Sequence, residues 1–291
     1  MTDDITAIHH TAVLTRDLDG LERVYRALGF TLSPRSRHLL SARQGEAPQA
    51  GCTANLCALF GGSYIELLGI VDESAPDPWH TKSMADQYEG FRILNLDTDD
   101  AAATHARLVA LGMRTSGVLG LERDVDTVEG VRTVRARAVH LDPRSTPEGY
   151  LGLAQHLTRE YVHQPRYLSH PNGARGVAAV LIVADGDEFD GIARRYAELI
   201  GAGWTDEGPL SVLVHKDVRL ELVRAADAPT VLPGESAPAP SYLAAMTIRV
   251  DDVTAARGLV ERGGIPTRTT ANGFFVSGHD AYGAGLFFTA R

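Results

Sequence analysis

The chain repeats one unit four times: an apolar strand, a helix that begins after an aspartate and ends at a glycine, and then further strands. The clearest copy opens with IHHTAVLTRDLDGLERVYRALGF (8–30) and continues to SYIELLG (63–69). Weaker copies begin at Phe91, Val177 and Leu243. A unit this small cannot bury its apolar face alone and must pair with a neighbour. The repeat therefore predicts an α+β fold in which four β-α-β-β-β units pair with their neighbours.

The limits of the four helices follow from the residues on either side of them. An aspartate accepts hydrogen bonds from the free amides of a helix start, and glycine adopts the left-handed conformation that ends a helix. The predicted N-caps are Asp17, Asp99 or Asp100, Asp185 or Asp187, and Asp251 or Asp252. The predicted helix ends are Gly29, Gly112, Gly201 and Gly263.

The length of 291 residues suits two domains of ordinary size. Segments rich in Pro, Gly, Ser or charged residues separate the units, and the middle one is QPRYLSHPNGARG (164–176). We place the main boundary within it, near His170. The chain then divides into an N-terminal domain of residues 1–169 and a C-terminal domain of residues 170–291.

Composition excludes several classes of partner and compartment. The net charge of −9 argues against nucleic acid, because phosphate binding requires clustered cations. No run approaches the roughly 18 apolar residues of a membrane span, and the first residues lack the apolar core of a secretion signal. Cys52 and Cys57 have the spacing of neither a metal knuckle nor a redox pair, so we expect reduced core cysteines. These features together predict a cytoplasmic protein without a membrane partner.

Several motifs carry a family resemblance. The opening IHH, DLD and LGF, followed by a strand with YIEL, resembles the vicinal oxygen chelate superfamily. That superfamily includes glyoxalase I, extradiol dioxygenases, methylmalonyl-CoA epimerase and bleomycin or fosfomycin resistance proteins. HHTAVLT, CTANLCALFGGSYIELLG, GFRILNLDTDD and QHLTREYVHQPRYLSHPNGARG resemble its glyoxalase-like domain branch more narrowly. The likeness covers most of residues 5–175, and only the repeat pattern continues beyond them.

The resemblance implies that the paired units curl into two open, cup-shaped mixed sheets with flanking helices. It also implies a divalent metal in the cup, held by side chains from the first and last strand of each unit. In the first unit these positions are His10 and Glu66, and in the second unit the last strand offers Gln155, with His156 as the alternative. The first strand of the second unit has Ile93 or Leu94 where a ligand is expected. The implied ion is Zn, Ni, Mn or Fe, and the resistance members imply that a cup without metal is the alternative.

The residues themselves support a reactive pair. An imidazole and a carboxylate that converge are good ligands for such ions, and an incomplete ligand shell leaves positions for water or substrate. A carboxylate inside the apolar stretch YIEL needs a partner, because its burial alone is costly. We therefore expect Glu66 in the cup, as a ligand or as the catalytic base. Because side chains alternate along a strand, only one of His9 and His10 is expected to face it.

The C-terminal domain lacks the equivalent ligands. Positions that match His10 are Ala178 in the third unit and Ala245 or Met246 in the fourth, while the last strands present Glu221 and Leu286. Extradiol dioxygenases need two histidines and a carboxylate from this half, so ring cleavage is the less favoured function. We expect a degenerate site, with the carboxylate of Glu221 paired to an arginine that flanks it.

Other side chains are candidates for substrate contact: Arg37, His38, Trp79 and His156. Trp79 lies in the long segment 72–90, which we interpret as a lid over the cup. The leading hypothesis is a metal-dependent lyase, isomerase or epimerase acting on a small oxygenated molecule. The alternative is a metal-free protein that sequesters a small molecule, and a third hypothesis is a regulatory subunit. A monomer and a homodimer are both compatible with four units in one chain.

Overall fold

The four predicted units are present in the structure, a computed structural model that describes residues 4–290. The first comprises β1 (Ile5–Thr15), α1 (Leu18–Ala27), β2 (Ser36–Leu40), β3 (Gln49–Leu59) and β4 (Tyr64–Ile70). The second comprises β5 (Gly90–Thr98), α3 (Ala101–Ala110), β6 (Leu119–Thr127), β7 (Gly130–His140) and β8 (Tyr150–His156). The short helix α2 (Thr81–Gln87) connects them.

The second half repeats this order. The third unit comprises β9 (Ala174–Ala184), α5 (Phe189–Ile200), β10 (Trp204–Glu207), β11 (Leu210–His215) and β12 (Val218–Arg224). The fourth comprises β13 (Tyr242–Val250), α7 (Val253–Arg262), β14 (Arg268–Thr270), β15 (Gly273–Val276) and β16 (Gly285–Thr289). Short connecting helices are α4 (Arg159–Val162) and α6 (Ala228–Val231), with 3₁₀ turns at Pro143–Ser145, Pro165–Tyr167 and Gly278–Asp280.

Each half forms one mixed sheet of eight strands, which confirms the predicted fold class. The C-terminal sheet is open, in the order β10-β11-β12-β9-β13-β16-β15-β14. The N-terminal sheet differs from the expected open cup because it closes into a barrel, in the order β1-β4-β3-β2-β6-β7-β8-β5. The closing seam is short and pairs Leu39 with Glu122 and Leu40 with Leu121. Closure satisfies the backbone groups of two strands that would otherwise be exposed edges.

The two halves share one hydrophobic core. A single cluster of buried side chains contains Val13 and Leu94 from the barrel together with Val180 and Met246 from the C-terminal sheet. The hydroxyl of Thr11 also donates to the sulfur of Met246 across this boundary, at 2.9 Å. The division near His170 stays a prediction, and the two halves are packed as one body.

The aspartate N-caps are present on three of the four long helices. Asp17 accepts from the amide of Gly20, and Asp100 and Asp252 each accept from two amides of the following turn. The third helix is different, since its N-cap is Glu188 and no side chain caps it. The backbone carbonyl of Asp185 accepts from the first amides instead, so an aspartate takes part through its main chain.

The helix ends agree with the predicted glycines in three cases. Gly29, Gly112 and Gly201 have positive φ of 87°, 78° and 76°. After α7 the left-handed residue is Gly264, at φ 82°, and the predicted Gly263 has a helical φ of −70°. The error of one residue arises because two glycines follow each other, and either could supply the turn.

Asp100→Ala is expected to lower the free energy of unfolding by about 1 kcal/mol, because two amides of α3 lose their acceptor. Urea titrations followed by circular dichroism measure the change. Asp99→Ala is the matched control, since the side chain of Asp99 does not cap the helix, and it is expected to be near neutral. Equal losses in both variants would show that the local charge, and not the cap, stabilises this end.

Two predictions from composition concern the state of the cysteines and the search for a membrane-spanning helix. Cys52 and Cys57 are free and fully buried, which confirms the expected core thiols. Within residues 4–290, no helix has the length and apolar character needed to cross a bilayer.

Candidate active site in the N-terminal barrel

The interior of the barrel encloses a cavity with polar groups on one part of its wall and apolar side chains elsewhere. Its volume is about 70 Å³, taken as the space open to the centre of a water molecule. That space holds several waters or a small organic molecule. The apolar part of the wall includes Leu40, Leu68, Met84, Ile93 and Val134. The cavity therefore suits a compact ligand with polar groups at one side.

A bulge in β1 brings two neighbouring histidines into the cavity. The pairing of β1 with β5 slips between Ile8 and His10, so that Ile8 opposes Leu96 while His10 opposes Asn95. An extra residue in a strand breaks the alternation of faces. His9 and His10 consequently both line the cavity, and their Nδ1 atoms are 2.7 Å apart. The expectation that only one of them faces the interior is wrong for this reason.

Glu66 lies at the centre of the polar group. Its side chain is only 9% exposed, and its Oε2 is 3.7 Å from Nε2 of His10. Its other oxygen, Oε1, is 3.6 Å from Nε2 of His38 and accepts a hydrogen bond of 2.6 Å from the Asn55 amide. Burial raises the pKa of Glu66, while the hydrogen bond from Asn55 and the charge of Arg123 oppose that rise. The carboxylate is thus held between two imidazole nitrogens from β1 and β2.

The hydrogen bonds around His10 determine its tautomer. Nε2 of His10 accepts from the amide of Asn95 at 2.9 Å, so its proton is on Nδ1 and is donated to Nδ1 of His9. His9 then carries its own proton on Nε2, which is 3.9 Å from the carboxylate of Asp97. Burial lowers the pKa of His10 to about 3 and that of His9 well below its usual value. Both imidazoles are neutral at physiological pH.

His38 is held in a similar way. Its Nδ1 is 2.9 Å from the hydroxyl of Thr53, and its Nε2 faces Glu66 without a hydrogen-bond partner in residues 4–290. Burial lowers the pKa of His38 to about 3. The carbonyl oxygens of the Asn55 and Asn95 side chains are also buried and unpaired within the described chain. Several unsatisfied polar atoms therefore belong to residues that line the same cavity as the carboxylate.

A second polar pair lies on the wall formed by β7 and β8. The hydroxyl of Tyr150 is hydrogen-bonded to Nδ1 of His140, and burial lowers the pKa of His140 to about 3. The ring of Trp79 packs edge-on against His140, with centroids 4.5 Å apart, and its Nε1 donates to the carbonyl of Ser41. The segment before α2 thus covers part of the cavity, in the position expected for a lid.

Three of the four proposed substrate-contact residues line the cavity: His38, Trp79 and His156. Arg37 does not, because its guanidinium bonds the carboxylate of Asp72 and the carbonyl of Gly51 at the outside of the barrel. Gln155, which was the predicted third metal ligand, does not line the cavity with His10 and Glu66. The amide of Gln155 bonds the carbonyl of Asp99 and the amide of Ala101 at the start of α3.

Several residues of the site were not anticipated from the sequence. On β5 the side chain that meets His10 is Asn95, and not Ile93 or Leu94, because the bulge shifts the register. Asn55, Arg123 and the His140–Tyr150 pair were also missed. Strand alternation was the available signal. Thr53 and Asn55 are two positions apart on β3, and the same spacing on β7 joins Val134, Ala136, Ala138 and His140, so each set lies on the face that lines the cavity.

The side chains of His10, His38 and Glu66 suit a divalent ion in their chemistry, although not in their present positions. Nδ1 of His10 and of His38 is already hydrogen-bonded, which leaves each Nε2 directed towards Glu66; ligand histidines are oriented in this manner. Two neutral imidazoles and one carboxylate suit Zn, Ni, Mn or Fe. As the side chains stand, no group of three His, Cys, Asp or Glu within residues 4–290 could hold a metal ion. The chemistry fits, and binding would require the Asn55 and Asn95 amides to turn away.

The C-terminal sheet offers less chemistry. Its concave face is lined by Ala178, Leu181, Phe287 and neighbours, with Glu221 as its carboxylate. Nε of Arg219 donates to Glu221 at 2.8 Å, as expected from the flanking arginines. No histidine is among the residues that line this face. The barrel therefore contains the better candidate site.

Comparisons with solved structures show the same architecture. A hypothetical protein from Staphylococcus aureus aligns with a TM-score of 0.63 at 12% identity, over 97% of this chain and 99% of that one. A mutant of 4-hydroxymandelate synthase from Streptomyces coelicolor gives 0.61 at 10% identity, over 99% and 94%. A fusion of a xylose isomerase-like TIM barrel with 4-hydroxyphenylpyruvate dioxygenase gives 0.56 at 14% identity, over 90% of this chain and 39% of that one. These likenesses concern the fold alone.

The family assignment rests on the sequence. No curated protein matches the chain. Residues 8–200, which carry His10, His38, Glu66 and nearly all of the barrel, match the family described as a glyoxalase-like domain. The chain therefore belongs to the glyoxalase-like domain family, with the vicinal oxygen chelate fold.

Proposed function

We propose that the chain is a lyase or isomerase that acts on a small oxygenated molecule in the barrel cavity with the help of a divalent ion. His10, His38 and Glu66 would hold the ion. The observation that carries this proposal is the convergence of two neutral imidazole nitrogens on the two oxygens of one buried carboxylate, at 3.7 Å and 3.6 Å. His38 replaces Gln155 in the ligand set, because Gln155 is bonded outside the cavity.

Residues of the chain would handle the proton. A bound divalent ion would supply a Lewis acid that polarises a carbonyl oxygen. The carboxylate oxygen of Glu66 that does not hold the ion would accept the proton from a carbon next to that carbonyl. The hydroxyl of Tyr150, held by His140, can donate a hydrogen bond to a substrate oxygen at another wall. The lid residue Trp79 and the apolar wall limit the access of water.

A metal-free binding protein is the second candidate. Two observations favour it: the amides of Asn55 and Asn95 already bond Glu66 and His10, and much of the cavity wall is apolar. In that case the polar groups would bind a ligand directly, and the protein would sequester a small molecule without turnover.

Glu66→Gln and His38→Gln are expected to abolish the retention of a divalent ion, because each variant removes one of three ligands. Wild-type protein purified without chelator, or reconstituted with Zn, Ni, Mn or Fe, should hold about one ion per chain. His279→Gln is the control, since the side chain of His279 is 91% exposed. Inductively coupled plasma mass spectrometry measures the metal content.

Turnover is tested by proton exchange in D₂O, with hydroxyacetone as the probe. Wild-type protein with metal should accelerate loss of its α-hydrogen signal, and Glu66→Gln should reduce this rate on the order of 10²- to 10⁴-fold. Equal metal content in the wild type and both ligand variants would remove the metal proposal. A chain that takes up no ion and exchanges no hydrogen, yet binds small molecules in the cavity, would favour sequestration.

A further inference from the structure

Arg123 on β6 is a buried cation. The residue is only 5% exposed. Its guanidinium makes no hydrogen bond and no ion pair within 4.0 Å with any residue of the described range 4–290. Isolated buried charges cost several kcal/mol, so proteins normally pair them. An unpaired arginine inside the barrel therefore requires an explanation.

Two other arginines with little exposure, Arg92 and Arg195, each bond at least one side chain, although Nε of each has no hydrogen-bond partner within residues 4–290. Arg195 bonds the carboxylate of Glu148, and Arg92 bonds the side chain of Gln87 while stacking 3.7 Å over the ring of Tyr88. Arg123 differs from both. The guanidinium groups of Arg92 and Arg195 therefore each have a polar or charged side chain as a partner, whereas that of Arg123 has none within residues 4–290.

The guanidinium of Arg123 faces the interior that contains the candidate site. Arg123 lines the same cavity as His38, Tyr64 and Glu66. Its positive charge lowers the pKa of Glu66 and also that of His38 and His156, which places it close to groups from three different strands. The anionic group of the same cavity is the carboxylate of Glu66, which forms no ion pair with Arg123 within 4.0 Å.

We propose that Arg123 binds the anionic group of the substrate, a carboxylate or a phosphate. The planar guanidinium presents paired donors that match either anion. The small cavity limits the ligand to a compact anion, of about the size of a three-carbon acid. This inference rests on the proposed function only in taking the barrel cavity as the ligand site, and it does not depend on metal or turnover.

The test compares three probes on chelator-treated protein by ligand-observed NMR titration. Pyruvate and inorganic phosphate represent the two anions, and hydroxyacetone is a neutral three-carbon molecule of similar shape to pyruvate. Wild-type protein should bind at least one of the anions more tightly than hydroxyacetone. Arg123→Met should raise the dissociation constant of that anion at least tenfold and leave hydroxyacetone unchanged. Whichever anion binds identifies the source of the negative charge.

Arg135→Met is the matched control, because Arg135 lies on the adjacent strand β7, where its guanidinium bonds Glu122 at the outer surface. It removes the same charge and should not change anion binding. Thermal unfolding checks the fold: Arg123→Met should be as stable as the wild type or more stable, since an uncompensated charge is removed.

Glu66→Gln separates this inference from the proposed function. Loss of the negative charge should preserve or tighten anion binding, although it removes metal retention. Anion binding that depends on Arg123 in a protein that never takes up metal would support the inference and weaken the metal proposal. Failure of both anions to bind, or equal binding by Arg123→Met, would overturn it.

Discussion

Lowering the pH from 8 to 5 is expected to cost the metal-free protein about 6 kcal/mol of unfolding free energy. The buried imidazoles of His10, His38 and His140 have a pKa of about 3 in the folded chain, against a usual value of 6.5. The unfolded chain therefore binds protons first as the pH falls. Stability is complete above pH 6.5 and is lost progressively below it, by about 2 kcal/mol for each of the three groups at pH 5.

Urea titrations at pH 8, 7, 6 and 5 measure this loss. The expected total is a large part of the 5–15 kcal/mol that stabilises an ordinary domain. His140→Gln should reduce the slope below pH 6 by about 1.4 kcal/mol per pH unit. His279→Gln, in an exposed position, should leave it unchanged. Constant stability between pH 8 and 5 would mean that these imidazoles take up protons in the folded state.

Arg195→Met is expected to lower the free energy of unfolding by about 3–5 kcal/mol, because it leaves a buried carboxylate without its cation. Glu148 is fully buried, and its Oε1 accepts from the guanidinium of Arg195 and from the hydroxyl of Tyr196. Arg195 belongs to α5 of the C-terminal half, whereas Glu148 precedes β8 of the barrel. The pair therefore links the two halves across their shared boundary.

Arg194→Met is the control for this prediction, since Arg194 is the exposed neighbour on the same helix. Chemical denaturation should show a change below about 0.5 kcal/mol for it. The double variant Glu148→Gln with Arg195→Met should recover part of the loss, because the unpaired charge is then removed. A loss in the double variant as large as in Arg195→Met would assign the effect to packing and not to the charge.

Much of the architecture was predictable from the repeat. The order of strands and helices in all four units, the aspartate caps of α1, α3 and α7, and the fold class all follow from local patterns. These features depend on neighbouring residues, which a sequence displays directly. The errors were local as well: Glu188 and not an aspartate occupies the N-cap position of α5, and the left-handed residue after α7 is Gly264 and not Gly263.

The candidate site was predictable only in part. His10 and Glu66 do meet in the cavity, because their strands pair directly. A bulge in β1 turns His9 into the cavity and places Asn95 opposite His10. Such a bulge depends on how two strands pair, so the order of residues in one strand does not indicate it. A choice between adjacent residues, Gln155 or His156, depends on the same register, and only His156 lines the cavity.

The remaining residues of the site come from distant parts of the chain. Arg123 and the pair His140–Tyr150 lie on β6, β7 and β8, which face the same interior as β1 and β4 because all eight strands form one closed barrel. Each is unremarkable in its own stretch of sequence. Their role becomes visible from burial, from missing hydrogen bonds and from the cavity they share.

The contact between Thr11 and Met246 has a consequence for how the two halves depend on each other. The strand that carries His9 and His10, β1, packs with its outer face on the C-terminal sheet. The C-terminal half therefore supports the strand that positions His9 and His10. An isolated barrel would leave β1 without this support and would expose a broad apolar surface. The two halves should therefore be expressed and engineered together.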